Sequence, residues 1–486
     1  MKLLQQLSAL FAVLLVSLSL SAQTKRSTAR PAPKADQSGW KQVPIPGLRP
    51  FHPQVPRRVA LPNGMVLFLQ EDHELPLIDG VIRIRGGRRD DPAAKIGLSA
   101  IYAEAWRTGG TQTKSGDALD DFLEMRAAQV ETGAGADSTS LSWSSLKGDF
   151  DQVFAVVLDL LHHPEFRQDK IDLAKNQINT AIARRNDDMN AIVQREAAKL
   201  AYGADSPYAR TAEYATIAAV TRNDLLERHK RVVAPNNMIL GISGDFDPAD
   251  MERKLREAFA ALPQGTPVPK AEFTPHPAPP GIYLIEKNDV NQSEISMVTL
   301  GIERNNPDYY AIEVMNELFG GGSSSRLTAR LRTQMGLAYS VGGGIGSAFD
   351  HPGIFRIAMG TKSGSTAAAI DALQKEVLDL MQGKVSEAEL KKAKDAMLNS
   401  FIFSVDSKDK VLAERMAYEF YGYPADFLER YRAGIEKVTI ADVNRVAKQY
   451  IHPEKFAVLV VGNKKDFDRD LSTFGKVTTI DISILK

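Results

Sequence analysis

Apolar and polar residues alternate from Arg58 to Leu69 on either side of Asn63-Gly64, a dipeptide that favours a type I′ hairpin turn. A second alternating run, Leu77 to Arg85, predicts a further strand with one buried face. The spacing then changes to the 3.6-residue period of amphipathic helices over 96–108, 116–130, 150–162 and 169–201. On the third of these, Val153, Val156, Val157 and Leu160 form a stripe read as core, together with Trp106 and Trp143. Further on, strands are predicted at 282–285, 294–302, 337–348 and 353–360, and helices at 307–319, 324–335, 365–382 and 386–404. Strands and helices without a regular βαβ rhythm indicate an α+β protein, and the length suits four units, two per half.

The chain also repeats. Val220-Thr221, Asp224, Pro235 and Gly244 in the first half recur as Val438-Thr439, Asp442, Pro453 and Gly462, each pair 218 positions apart with no gap. A constant offset over this span predicts duplication, each copy having a Thr-capped helix followed by a strand-like run. Between the copies, residues 263–281 carry Pro267, Pro269, Pro275, Pro277, Pro279 and Pro280, which neither a helix nor a central strand tolerates. This stretch is read as the linker between an N-terminal half, 51–262, and a C-terminal half, 282–486.

Composition adds limits. Sixty basic residues balance sixty acidic ones, so net charge gives no reason to expect nucleic acid as a partner. The chain has no Cys, which removes thiol nucleophiles, thiolate metal sites and disulfides together. Residues 1–22 have the basic start, short apolar run and small-residue end of a signal peptide, with cleavage expected after Ala22 and a flexible lead-in over 23–50. Export without disulfides suits a bacterial periplasm, so a periplasmic or secreted protein without an integral membrane span is expected.

Candidate chemistry gathers in the second half: Gly320-Gly321-Gly322-Ser323-Ser324-Ser325-Arg326-Leu327, then Leu331-Arg332, then Gly336-Leu337-Ala338-Tyr339. With Arg58 to Gly64, Gly97-Leu98 through Gly110-Thr111, and Tyr202-Gly203 before Pro207-Tyr208, these segments resemble the pitrilysin/insulinase family of zinc metallopeptidases over nearly the whole mature chain. The resemblance implies an α+β fold of two homologous halves, each of two α/β-sandwich units of the metallopeptidase-like (LuxS/insulinase-type) kind. Active members carry H-x-x-E-H on a first-half helix and a distal Glu as third zinc ligand, with an open position for the attacking water. Here the corresponding residues are Ile101-Tyr102-Ala103-Glu104-Ala105, and no His lies between His73 and His162. The third ligand falls at Ala181, or at Gln177 in another register, and no Glu lies between Glu165 and Glu196. Ile101, Ala105 and Ala181 are therefore degenerate ligand positions, and Glu104 is a residual base or simply a polar helix residue.

In relatives the Arg/Tyr pair, here Arg332 and Tyr339, holds or polarises the substrate's peptide backbone opposite the zinc. A guanidinium grips a carbonyl or carboxylate and a phenol donates to an oxyanion. Gly320, Gly321 and Gly322 read either as a loop at the peptide site or as a plain turn into a helix. Gly342-Gly343-Gly344 would allow an added peptide strand or a simple bulge. His162-His163 reads as the end of a helix, since adjacent residues do not face one ligand. Together these imply a subunit that binds no metal itself and positions unfolded peptide for a homologous partner carrying intact H-x-x-E-H and the zinc. A non-enzymatic peptide-binding or scaffold protein of the cell envelope is the alternative, and an autonomous peptidase with a relocated metal site a third.

Overall fold

A computed structural model describes residues 54–270 and 272–484. The expected signal peptide and flexible lead-in lie outside the described residues. In the first half, strands β1 (Arg57–Ala60), β2 (Val66–Glu71), β3 (Leu77–Arg85), β4 (Gln129–Ala134), β5 (Ser138–Leu146) and β6 (Met238–Gly244) form one sheet in the order β1-β2-β6-β3-β5-β4. Its helices are α1 (Leu98–Thr108), α2 (Gly116–Glu124), α3 (Phe150–His162), α4 (Gln168–Ala183), α5 (Met189–Tyr202), α6 (Tyr214–Ala218), α7 (Arg222–Val232) and α8 (Pro248–Phe259).

The second half rebuilds the same plan. Strands β7 (Gly281–Glu286), β8 (Gln292–Leu300), β9 (Ile302–Glu303), β10 (Ser340–Ala348), β11 (Pro352–Lys362), β12 (Ala457–Gly462) and β13 (Val477–Thr479) run in the order β13-β7-β12-β8-β11-β10-β9. Helices α9 (Tyr309–Asn316), α10 (Thr366–Met381), α11 (Glu387–Phe401), α12 (Lys408–Tyr421), α13 (Phe427–Lys437) and α14 (Ile440–Tyr450) accompany it. In both sheets the late strand inserts centrally, β6 parallel to β2 and antiparallel to β3, β12 parallel to β7 and antiparallel to β8.

The expected duplication is thus a duplication of topology. Thr221 and Thr439 cap α7 and α14, and each shares a reciprocal capping box with the Asp three residues on. The mixed α/β class and the two homologous halves stand as expected. The finer division of each half into two sandwich units does not: each half has one sheet and one main hydrophobic core, running from Val59 to Phe259 and from Ile282 to Leu471.

The hairpin at Asn63-Gly64 differs from the type I′ expectation. That turn needs two residues in the left-handed region, and only Gly64 (φ 89°) is there. Gly64 N–H donates to Leu61 C=O at 3.0 Å, closing a turn with Pro62 and Asn63 in the middle. Asn63 is held instead by its side chain, which donates to Phe259 C=O at 2.7 Å at the end of α8.

One feature joins the halves. Helix α5 leaves the first half to cover the second sheet, setting Ile192, Val193, Ala197 and Leu200 against Ile285, Val298, Leu459 and Val461. Its counterpart α12 does the reverse, setting Leu412, Met416 and Phe420 against Phe68 and Ile239. Each sheet is therefore covered by its own helices on one face and by the other half's helix on the second. This explains why every residue of β6 and of β12 is buried and why both strands are nearly continuous apolar runs. Polar contacts reinforce the exchange: Arg89 pairs with Asp350 at 2.6 Å, Arg58 with Glu419 at 2.8 Å, and the His351 ring stacks on Tyr208 at 3.7 Å. Among the described residues, 263–280 carry neither helix nor strand and run past α5, where His276 N–H donates to Tyr202 C=O and Ala278 N–H to Leu200 C=O.

Candidate functional site

Helix α1 begins at Gly97, whose φ of 106° suits only glycine without strain. The Asp91 carboxylate accepts from the Gly97 and Ser99 amides and from the Ser99 hydroxyl, satisfying the free N–H groups of the first turn. Burial raises its carboxyl, and the buried Arg228 guanidinium, 3.5 Å away, opposes that rise.

This start fixes the direction of the next turn. Ile101 and Ala105 point into the core and are wholly buried, together with Tyr102 and Trp106. Glu104 lies on the opposite, exposed face. Helix α4 packs against α1, but Ala181 and Gln177 both sit on its exposed side. Ile101, Ala105 and Ala181 offer no lone pair, and among the described residues no group of three His, Asp or Glu side chains is disposed to hold a metal ion. The residues present do not fit a zinc ion.

A buried histidine lies behind this helix. His229 Nε2–H donates to Leu161 C=O at 2.9 Å, which leaves Nδ1 to accept the Tyr102 hydroxyl at 2.8 Å. Burial pushes the imidazole down to about 4 and raises the Tyr102 phenol. This histidine is structural. His162 and His163 end α3 as expected, with His163 bonded back to Asp159 at 3.0 Å.

In the second half, α9 runs into a wider π-helical turn over Glu317–Gly321, and the helix expected at 324–335 is also π-wound over Thr328–Gln334. Such turns concentrate at functional positions. Arg332 falls in the last turn of the second one, exposed, and Gly336 (φ 63°) stops it. Tyr339 directly precedes β10, anchored by its N–H to Gly360 C=O at 2.9 Å, while the residue as a whole is 79% exposed. Neither the Arg332 nor the Tyr339 side chain bonds to another described residue, so both are open to a ligand. Gly320 lies so close to the backbone of Gly343 in β10 that a Cβ would collide with it, which makes this glycine a packing requirement. Beyond it, Asn316 pairs with Ile345 through both amide atoms, 2.9 and 2.8 Å, and β9 covers Ser347 and Ala348. β10 therefore has its far end covered and its start, beside Tyr339, uncovered.

Gly321 belongs to the wall of a cavity of about 420 Å³ shared with Tyr309, Glu313, Glu317, Glu414 and Tyr418. Burial raises the Glu313 carboxyl to about 6 and lifts Glu317 in the same direction. Sequence reasoning missed this cavity; the available signal was Glu313 and Glu317 one helical turn apart before the Gly-rich segment.

Fold and site together define a duplicated α+β protein with a peptidase-like helix pair lacking ligands and an open Arg/Tyr segment in the opposite half. Family models match accordingly, one described as insulinase (peptidase family M16) over residues 76–212, the other as peptidase M16 inactive domain over 219–397. The chain belongs to the M16, or insulinase, peptidase family. A non-peptidase homolog, YmxG, of Helicobacter pylori is 24% identical over 403 residues, covering 82% of this chain and 91% of that one. An uncharacterized zinc protease, YmxG, of Bacillus subtilis is 23% identical over 411 residues, covering 83% and 98%. Among solved structures, a peptidase M16 inactive domain from Pseudomonas fluorescens superposes with a TM-score of 0.76 at 23% identity, over 84% of this chain and 98% of that chain. A protease from Helicobacter pylori gives 0.73 at 18% identity, over 84% and 100%.

Proposed function

We propose that this protein is the non-catalytic subunit of a heteromeric zinc metallopeptidase, binding and positioning an unfolded peptide for a homologous partner that carries H-x-x-E-H and the zinc. The observation that carries this reading is a division of chemistry. The ligand positions Ile101, Ala105 and Ala181 are apolar, while Arg332 and Tyr339 stand exposed and unengaged, Tyr339 directly before the uncovered start of β10. In this reading Arg332 grips a carbonyl or carboxylate of the peptide, Tyr339 donates to oxygen as charge develops on it, and the partner supplies the metal chemistry. In the same reading Gly320 to Gly322 form a loop at the peptide site, with Gly320 packed on the Gly343 backbone of β10. The protein acts in the periplasm or outside the cell after its signal peptide is removed, and no helix among the described residues is long and apolar enough to cross a membrane.

Co-expression with a zinc-bearing homologue of the same organism tests this. The two chains co-purify, the pair cleaves unfolded peptides, and this chain alone does not. Arg332→Ala or Tyr339→Phe leaves the pair assembled and lowers cleavage by roughly a hundred- to a thousand-fold, the scale of losing one stabilising donor. Normal cleavage by assembled variants refutes the role given to the pair, and stoichiometric zinc with unaided digestion by this chain refutes the division of labour.

A further inference from the structure

The first half contains a cavity of about 450 Å³ between the N-terminal turn of α1, helices α4 and α5, and the segment 207–212. Four of its wall residues are arginines, Arg88, Arg89, Arg195 and Arg210, and one is acidic, Asp91. Their partners can be accounted for one by one. Asp91 is held by the α1 amides and by Arg228. Arg89 pairs with Asp350 and the Tyr208 hydroxyl, and its buried Nε has no partner. Arg195 binds Glu196 at 2.7 Å, with its other nitrogens on Arg185 C=O and Asn186.

Arg210 donates only to two carbonyl oxygens, those of Arg89 at 2.9 Å and Asp91 at 2.7 Å. The exposed Arg88 side chain bonds to no described residue, and Asp90, its nearest acidic neighbour in sequence, turns its carboxylate to the Gly87 amide at 2.7 Å. Two guanidinium charges therefore face one cavity with no carboxylate bonded to either. The rest of the wall is largely apolar, including Ile96, Ala100, Ile178 and Ala198.

The fold does not require these cations. The matching cavity of the second half has one arginine, Arg304, against three carboxylates, Glu313, Glu317 and Glu414, and Glu414 holds the seventh position of α12 as Arg195 holds the seventh of α5. A positive, partly apolar cavity of this size suits a carboxylate attached to a short apolar segment: a guanidinium meets carboxylate oxygens through paired N–H groups, and the walls take the neighbouring side chain.

We infer that this cavity receives the C-terminal carboxylate of an unfolded peptide, bound by Arg88 and Arg210, with the last side chain against the apolar wall. The inference rests on the peptide-binding reading above and adds an end-selective anchor in the half that has lost its metal ligands. It is tested with the full mature chain and three fluorescent peptides of one apolar sequence: a free acid, a C-terminal amide, and an amide ending in Glu. Fluorescence anisotropy should give the free acid an affinity about tenfold above the plain amide. Arg88→Gln should remove most of that difference without lowering the melting temperature, because Arg88 supports nothing else, and Arg210→Lys should weaken the free acid while sparing the amide. The Glu-ended amide should bind more weakly than the free acid; equal affinity overturns the end-selective anchor, since any carboxylate would then serve. Equal binding of acid and plain amide, unchanged by Arg88→Gln, overturns the site and leaves peptide capture standing. Binding of none of the three, with the chain alone or with its partner, overturns both.

Discussion

His229 illustrates how a single buried side chain makes stability depend on pH. Both ring nitrogens are engaged and the imidazole is pushed down to about 4, whereas in the unfolded chain it titrates near 6.5. Between these values the unfolded chain holds more protons, so this contribution is complete above pH 6.5 and is lost as pH falls towards 4. Its size is on the order of 3 kcal/mol. Glu313, raised to about 6, contributes with the opposite sign, so the comparison must be with a variant. Melting temperatures measured from pH 7.5 to 4.5 should fall less steeply for His229→Gln than for the wild type; identical slopes would refute this account. At the same scale, the missing histidines at 101 and 105 are plain in the sequence because the motif fixes where they belong. The arginine cavity is not, because Arg88 and Arg210 are 122 positions apart and a lone arginine carries no pattern.

The two capping boxes make the duplication measurable at the scale of elements. Thr221 and Thr439 each accept from the amide of the Asp three residues on, in helices of eleven residues that precede equivalent central strands. Thr221→Ala and Thr439→Ala should each cost about 1 kcal/mol, and by similar amounts, in denaturant unfolding of the full chain. A loss at only one site would mean that the two helices are not equivalent in energy. These elements were legible since their signals are local: a capping residue, an acid three on, a proline and an apolar run. Others were hidden by competing signals. The helical pattern of 169–201 is two helices, α4 and α5, parted where Asp188 caps the second by accepting from Ala191 N–H. The pattern of 116–130 stops at Glu124, with Ala127 at φ 48° turning the chain into β4. β5 is rich in serine and so carries little apolar signal, although Thr139, Leu141, Trp143 and Ser145 alternate inward along it. Gly80 sits opposite Trp143 because any side chain there would strike the indole ring.

Across the whole molecule, the exchange of α5 and α12 means that neither half is a self-sufficient body. Residues 54–262 alone would leave Phe68 and Ile239 exposed where Leu412, Met416 and Phe420 belong, and residues 281–484 alone would expose the face that α5 covers. The approach is close enough that a Cβ on Gly241 would run into Met416. Expressed separately, the two halves should aggregate or bind a hydrophobic dye, while co-expressed they should co-purify and unfold in a single cooperative transition. Independent cooperative unfolding of an isolated half would contradict this. The repeat spacing could reveal two copies but not their mutual dependence, since α5 has the amphipathic pattern of any helix and nothing local states which sheet it will meet.

A ribosome releases this polypeptide from one end, and the second face of the earlier sheet must wait for residues 408–421. Until they emerge, a broad oily surface stays open to whatever is nearby. Chaperones that hold nascent chains have a long window in which to act on such a molecule, and truncation by a premature stop codon anywhere before that helix would spoil both copies of the repeat.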